Sequence, residues 1–75
     1  MSSTNFTEVA MTIGSKIRQF RANNAISQEQ FAELAGMTRA SVQAIETERN
    51  DNPTLENLSA IAKAMGLTID ELVEE

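Results

Sequence analysis

Reactive side chains are scarce in this chain. Its 75 residues include no Cys and no His, which removes thiol nucleophiles, disulfides and zinc sites of the usual ligand types. Carboxylates remain, but the acids are scattered over faces expected to meet solvent rather than paired for acid–base work. The run Arg49, Asn50, Asp51, Asn52 is rich in oxygen ligands, yet it lacks the Gly and the distal Glu of a calcium loop and reads as a solvated connection. No enzyme, cofactor or metal is therefore expected. Hydrogen-bonding chemistry is better represented. In the stretch QEQFAELAGMTRASVQAIET, residues 28–47, the apolar Val42 and Ile45 are three apart and leave Arg39, Ala40, Gln43 and Ala44 free to point elsewhere. That second face is short-chained and polar, and it carries one cation.

Two short helices and a tight turn must hold this face. Ser27 with Gln30 three residues on has the capping-box spacing, in which hydroxyl and amide satisfy free N–H groups at a helix start. Phe31, Ala32 and Ala35 follow at helical spacing, and Gly36 can take the left-handed conformation that closes a helix and reverses the chain. Thr38 can cap the second helix. At these residues the chain resembles the helix-turn-helix of the phage-repressor family, the group of the lambda and 434 repressors and Cro proteins. Gln28 opens the first helix, small Ala32 lies where the helices approach, Gly36 makes the turn, Val42 is in the second helix and Glu46 closes it. The resemblance runs from about residue 11 to the C-terminus.

What the resemblance implies is a recognition helix laid in the major groove of DNA. It puts Arg39 and Ala40 at base-reading positions and Ala44 one turn further on. Arg39 can donate two hydrogen bonds to guanine, Gln43 can pair with adenine, and the Ala methyls can meet thymine methyls. Phosphate contacts are expected from Gln28 with the N–H groups at its helix start, from Thr38, and from Arg49 and Asn50. Arg21 late in the first helix is expected to pair with Glu46 and fix the recognition helix, whereas Lys16 and Arg18 read as solvent charges.

The rest of the chain fits one all-α domain. Apolar residues make up 41%, with three Phe and no Tyr or Trp, so the core must be built from Ile, Leu, Val, Met and Ala. Five helices in a compact bundle are predicted over residues 12–22, 28–35, 38–46, 55–65 and 69–74. Phe6, Val9, Ala10, Ile13, Ile17 and Phe20 form one helical stripe that could extend the first helix back to residue 6, but Gly14 costs about 1 kcal/mol in a helix interior and Thr12 offers a later cap. Residues 1–11 are thus read as an N-terminal extension and 12–75 as the domain. Asn23 and Asn24 should end the first helix. Thr54 caps the fourth, Gly66 ends it, and Thr68 with Glu71 repeats the capping box. No secretory leader or membrane span is apparent, and a cytoplasmic location is expected.

The net charge of −5 looks wrong for a DNA-binding protein, but it conceals a split. Residues 12–45 carry four cations against Glu29 and Glu33, while eight acids face Arg49 and Lys63 from Glu46 onward. One face can meet phosphates while the other repels them, which argues against loose binding rather than against DNA. The expected function is a sequence-specific transcriptional regulator, a repressor acting as a homodimer on a palindromic operator, because one short helix reads only a few base pairs. Leu72 and Val73 of the last helix are the leading dimer contact, and the segment around Phe6 and Val9 is second. The alternative is an antitoxin, which would use the same helix-turn-helix on its own operon while a toxin occupies another surface.

Overall fold

The computed structural model describes residues 12–74, and among them five helices and no strand follow the predicted order. Each helix starts at a hydroxyl that accepts from the backbone N–H three residues on. Thr12 opens α1 (Ile13–Asn24), Ser27 opens α2 (Gln28–Ala35), Thr38 opens α3 (Arg39–Glu46), Thr54 opens α4 (Leu55–Met65) and Thr68 opens α5 (Ile69–Val73). The capping boxes of Ser27 with Gln30 and Thr68 with Glu71 are both complete. Gly36 at φ 67° and Gly66 at φ 74° close α2 and α4 in the left-handed region. The first helix departs from expectation: it continues through both asparagines, and the left-handed residue is Ala25 at φ 54°. Asn24 donates its side-chain amide to the Phe20 carbonyl, one helical turn back, and this supports the helix instead of a turn. Ile26 can then turn inward to pack on the core. Thr38 is a cap rather than the first helical residue of α3, and α5 stops at Val73. Phe6, Val9 and the proposed extension of α1 lie outside the described residues.

The helices close a ring of contacts: α1 on α3, α3 on α2, α2 on α4, α4 on α5, and α5 back on α1. At its centre Ile17, Phe31, Val42, Ile45, Ile61 and Leu72 are fully buried, each stabilising by roughly 1.5–3 kcal/mol. Phe20 meets the Phe31 ring edge-on, with centroids 5.9 Å apart. Two sequence expectations are corrected by this packing. Leu72 has no exposed surface, because the short α5 must turn one large residue into the core, so only its neighbour Val73 faces solvent. Lys16 is not a solvent charge: its ammonium donates to the Leu72 carbonyl at 2.5 Å and to that of Glu74, tying α1 to the open end of α5.

The α1–α3 crossing is a close one. A Cβ on Gly14 would lie 2.3 Å from the Ile45 carbonyl oxygen, so the glycine that weakens α1 locally is what lets α3 approach. One turn further along α1, Arg18 donates to the Glu46 carbonyl and to the Ser15 hydroxyl, so it too is not a free solvent charge. Arg21 then grips the Glu46 carboxylate with both ends of its fork, Nε to Oε2 at 2.7 Å and Nη2 to Oε1 at 2.8 Å. Burial pushes the Glu46 carboxyl up, but hydrogen bonds from Arg21 and Gln28 and the nearby charges of Arg21 and Arg18 outweigh it and hold the group below the ordinary range. The carboxylate in turn raises Arg21.

Two consequences are measurable. Gly14→Ala should destabilise by about 2 kcal/mol or more in urea unfolding, overriding the roughly 1 kcal/mol that Ala gains in helix propensity; a stabilised variant would refute the close approach. Glu46→Leu should cost about 3 kcal/mol by stranding the Arg21 guanidinium, whereas Arg21→Met with Glu46→Leu should recover most of that loss. Because Glu46 is held below the ordinary 4.5 of glutamate, its stabilisation is complete above that pH and lost as pH falls through the lowered folded value. The wild type should therefore lose more stability on acidification below about pH 4.5 than the double variant, by thermal unfolding across pH.

Candidate nucleic-acid interface

The buried side of α3 consists of Val42, Ile45 and Glu46, which are 0%, 1% and 3% exposed. The opposite side is therefore obliged to face out. Ala40 and Gln43 are exposed there and Ala44 is half-buried, while Arg39, one residue into α3 and seven before Glu46, is exposed at the rim between the two sides. At the start of α3 the Thr38 hydroxyl accepts from the Ser41 N–H at 3.1 Å and donates to the Ser41 hydroxyl at 2.9 Å. The end of α3 is closed as firmly: Thr47, Glu48 and Asn50 return their N–H groups to the carbonyls of Gln43, Ile45 and Ala44. Glu48 takes a left-handed φ of 63° to do so, and its carboxylate accepts from the Thr12 hydroxyl at 3.1 Å.

The cations divide by what already engages them. Arg21, Arg18 and Lys16 are committed within the fold. Among the described residues Arg39, Arg49 and Lys63 have no hydrogen-bond or ion-pair partner, and the two arginines lie at the two ends of α3, where their guanidinium groups are available to a ligand. Beside Arg49, Asn50 uses its amide oxygen to accept from the Asn52 N–H at 3.2 Å, and among the described residues its amide nitrogen has no partner. Thr38, Arg49 and Asn50 are exposed at the two ends of α3. Gln28 is half-buried, and its amide nitrogen donates one of its two N–H groups to Glu46 Oε1 at 3.1 Å.

A groove of about 400 Å³ runs between α2 and α3, lined by Arg21, Ser27, Gln28, Glu29 and Arg39. It brings together the two helix starts and the lone arginine of the outward face. The parts that sequence reasoning missed are Glu29, whose carboxylate shares this groove, and the anchoring by Lys16 and Arg18. Arg18 could have been found, since it is three residues before Arg21 and so on the same face of α1. Glu29 follows directly on Gln28 in the first turn of α2, where an acid favours the helix start. The arrangement is a hydrogen-bonding surface. Among the described residues no group of acids could hold a metal ion, and no helix is long and apolar enough to cross a membrane.

Known proteins share this plan. A helix-turn-helix family profile matches residues 17–72, which span α1 to α5. The immunity repressor protein of Bacillus phage phi105 is 37% identical over 65 residues, 87% of this chain, and the chain spans only 44% of the length of that relative. The control protein C.SmaI of Serratia marcescens is 31% identical over 68 residues, covering 91% of this chain and 80% of that protein. The crystal structure of the P22 c2 repressor in complex with a synthetic operator superposes with a TM-score of 0.74 at 26% identity, covering 85% of this chain and 96% of that one. With the capped hairpin, the outward face of α3 and the family profile in agreement, the chain belongs to the phage-repressor (XRE-type) helix-turn-helix family of DNA-binding transcription regulators.

Proposed function

We propose that this protein represses transcription by binding double-stranded DNA sequence-specifically, as a homodimer on a palindromic operator. The observation that carries the reading is α3 itself, locked at both ends and on its inner side, with Arg39, Ala40 and Gln43 left facing out. Arg39 would take a guanine edge and Gln43 an adenine edge, with the Ala40 and Ala44 methyls against thymine. Phosphates would be held by Gln28 with the N–H groups at the start of α2, by Thr38, and by Arg49 and Asn50 beyond α3. That similar chains are an immunity repressor and a control protein favours a stand-alone regulator over a toxin-binding protein. One recognition helix reads few base pairs, so two copies about 10 base pairs apart would be needed for a specific site. Val73, 48% exposed, lines a groove with Ile13, Pro53 and Leu58 and offers the apolar contact for the second copy.

Sites selected from a random duplex pool give the test. Arg39→Ala should cost about 1–3 kcal/mol on the selected site and relax the choice at one position of each half-site. Arg49→Ala should instead weaken all sequences about equally and lower the salt slope by about one per subunit. If Arg49→Ala altered the base pattern and Arg39→Ala did not, the reading face would lie elsewhere on the hairpin. Sedimentation should show two copies of the chain on each selected site, and a monomer at tens of micromolar both free and on DNA would refute the dimer.

A further inference from the structure

We infer that Glu29 is a specificity-determining residue, whose carboxylate makes strong binding conditional on the guanine contact of Arg39. The inference rests on the proposed DNA reading and deepens it. The charged residues lining the groove between α2 and α3 are Arg21, Glu29 and Arg39. Arg21 is already neutralised by Glu46, which takes both ends of its fork. Glu29 and Arg39 are left as opposite charges, one from the first turn of each helix and both exposed. Among the described residues neither side chain has an ion-pair or hydrogen-bond partner.

One acid in this place acts differently on different duplexes. The start of α2 faces phosphates in the proposed reading, so a carboxylate there repels every duplex whatever its sequence. That repulsion is offset where a guanidinium is held beside it. Arg39 bound to guanine uses two of its five N–H groups on O6 and N7, and the rest remain for an acceptor-only carboxylate in the same groove. Without a guanine nothing holds Arg39 at the groove, and attraction to a phosphate draws it away from Glu29. Glu29 thus weakens the wrong duplexes more than the right one, which is how a repulsive group supplies specificity. Glu33 offers the comparison. It is an exposed acid one turn further along the same side of α2, but it does not line the groove with Arg39.

Glu29→Gln, which removes the charge and keeps the stem, tests this in the full chain. Binding is measured at one fixed salt concentration to the site that the wild type selects and to random duplex. The preference for the selected site should fall about two- to fivefold, the size of one exposed charge interaction, because random duplex is bound more tightly. In an Arg39→Ala background the same substitution should shift both duplexes alike, and Glu33→Gln alone should leave the preference unchanged. Circular dichroism would show the variants folded. Equal tightening on both duplexes with Arg39 present, or an equal loss of preference from Glu33→Gln, would make Glu29 a general surface charge and overturn the inference. A loss that persists without Arg39 would make Glu29 a base reader itself and overturn it too, as would no change at all. A wild-type protein that selects no sequence would instead remove the DNA reading, and this inference with it.

Discussion

Glu46 places a carboxylate where water barely reaches, and the surrounding structure is built to keep it charged. Desolvating such a group costs several kcal/mol unless it is paired and its lone pairs are satisfied. Arg21 supplies two hydrogen bonds, Gln28 a third, and Arg18 holds the carbonyl of the same residue. Three helices are therefore committed to one point at the end of α3. Gly14, Ile17, Arg18 and Arg21 lie at offsets of 3, 4 and 7 along α1, a single stripe laid against α3. Gly14 sets how near the helices come, Ile17 fills the space between them, and the two arginines fix the position of Glu46 along that contact.

What was legible in the sequence follows from how local each signal is. Caps are decided within four residues, so Thr12, Ser27, Thr38, Thr54 and Thr68 could be read directly, and the helix order with them. The outward face of α3 was equally readable, because Val42 and Ile45 settle which side is inside. Arg21 and Glu46 are 25 residues apart, and only the family resemblance joined them. Features decided by distant partners were misread. Lys16 looks like any surface lysine until α5 brings the Leu72 carbonyl to it. Leu72 and Val73 look alike until the packing of α5 buries one of them. Ala25 takes a left-handed conformation for which asparagine or glycine is better suited, since the turn is placed where Ile26 must enter the core.

A small cationic surface changes what the proposed binding depends on. Non-specific affinity comes from phosphates neutralised by free cations, and most cations of this chain's first half are engaged inside the fold. Arg39, Arg49 and Lys63 remain, with Glu29 lining the same groove as Arg39, and the acidic residues from Glu46 onward add repulsion at longer range. Base contacts must then carry an unusually large share of the binding, and base contacts tolerate little misplacement. A bidentate hydrogen bond is lost when its donor helix tilts, whereas a phosphate attraction only weakens. Buried ion pairs add little net stability over apolar residues of the same shape. Here the pair's directional hydrogen bonds answer the need that the sparse charge creates, holding one short helix in one orientation against a bundle whose apolar contacts alone would allow several.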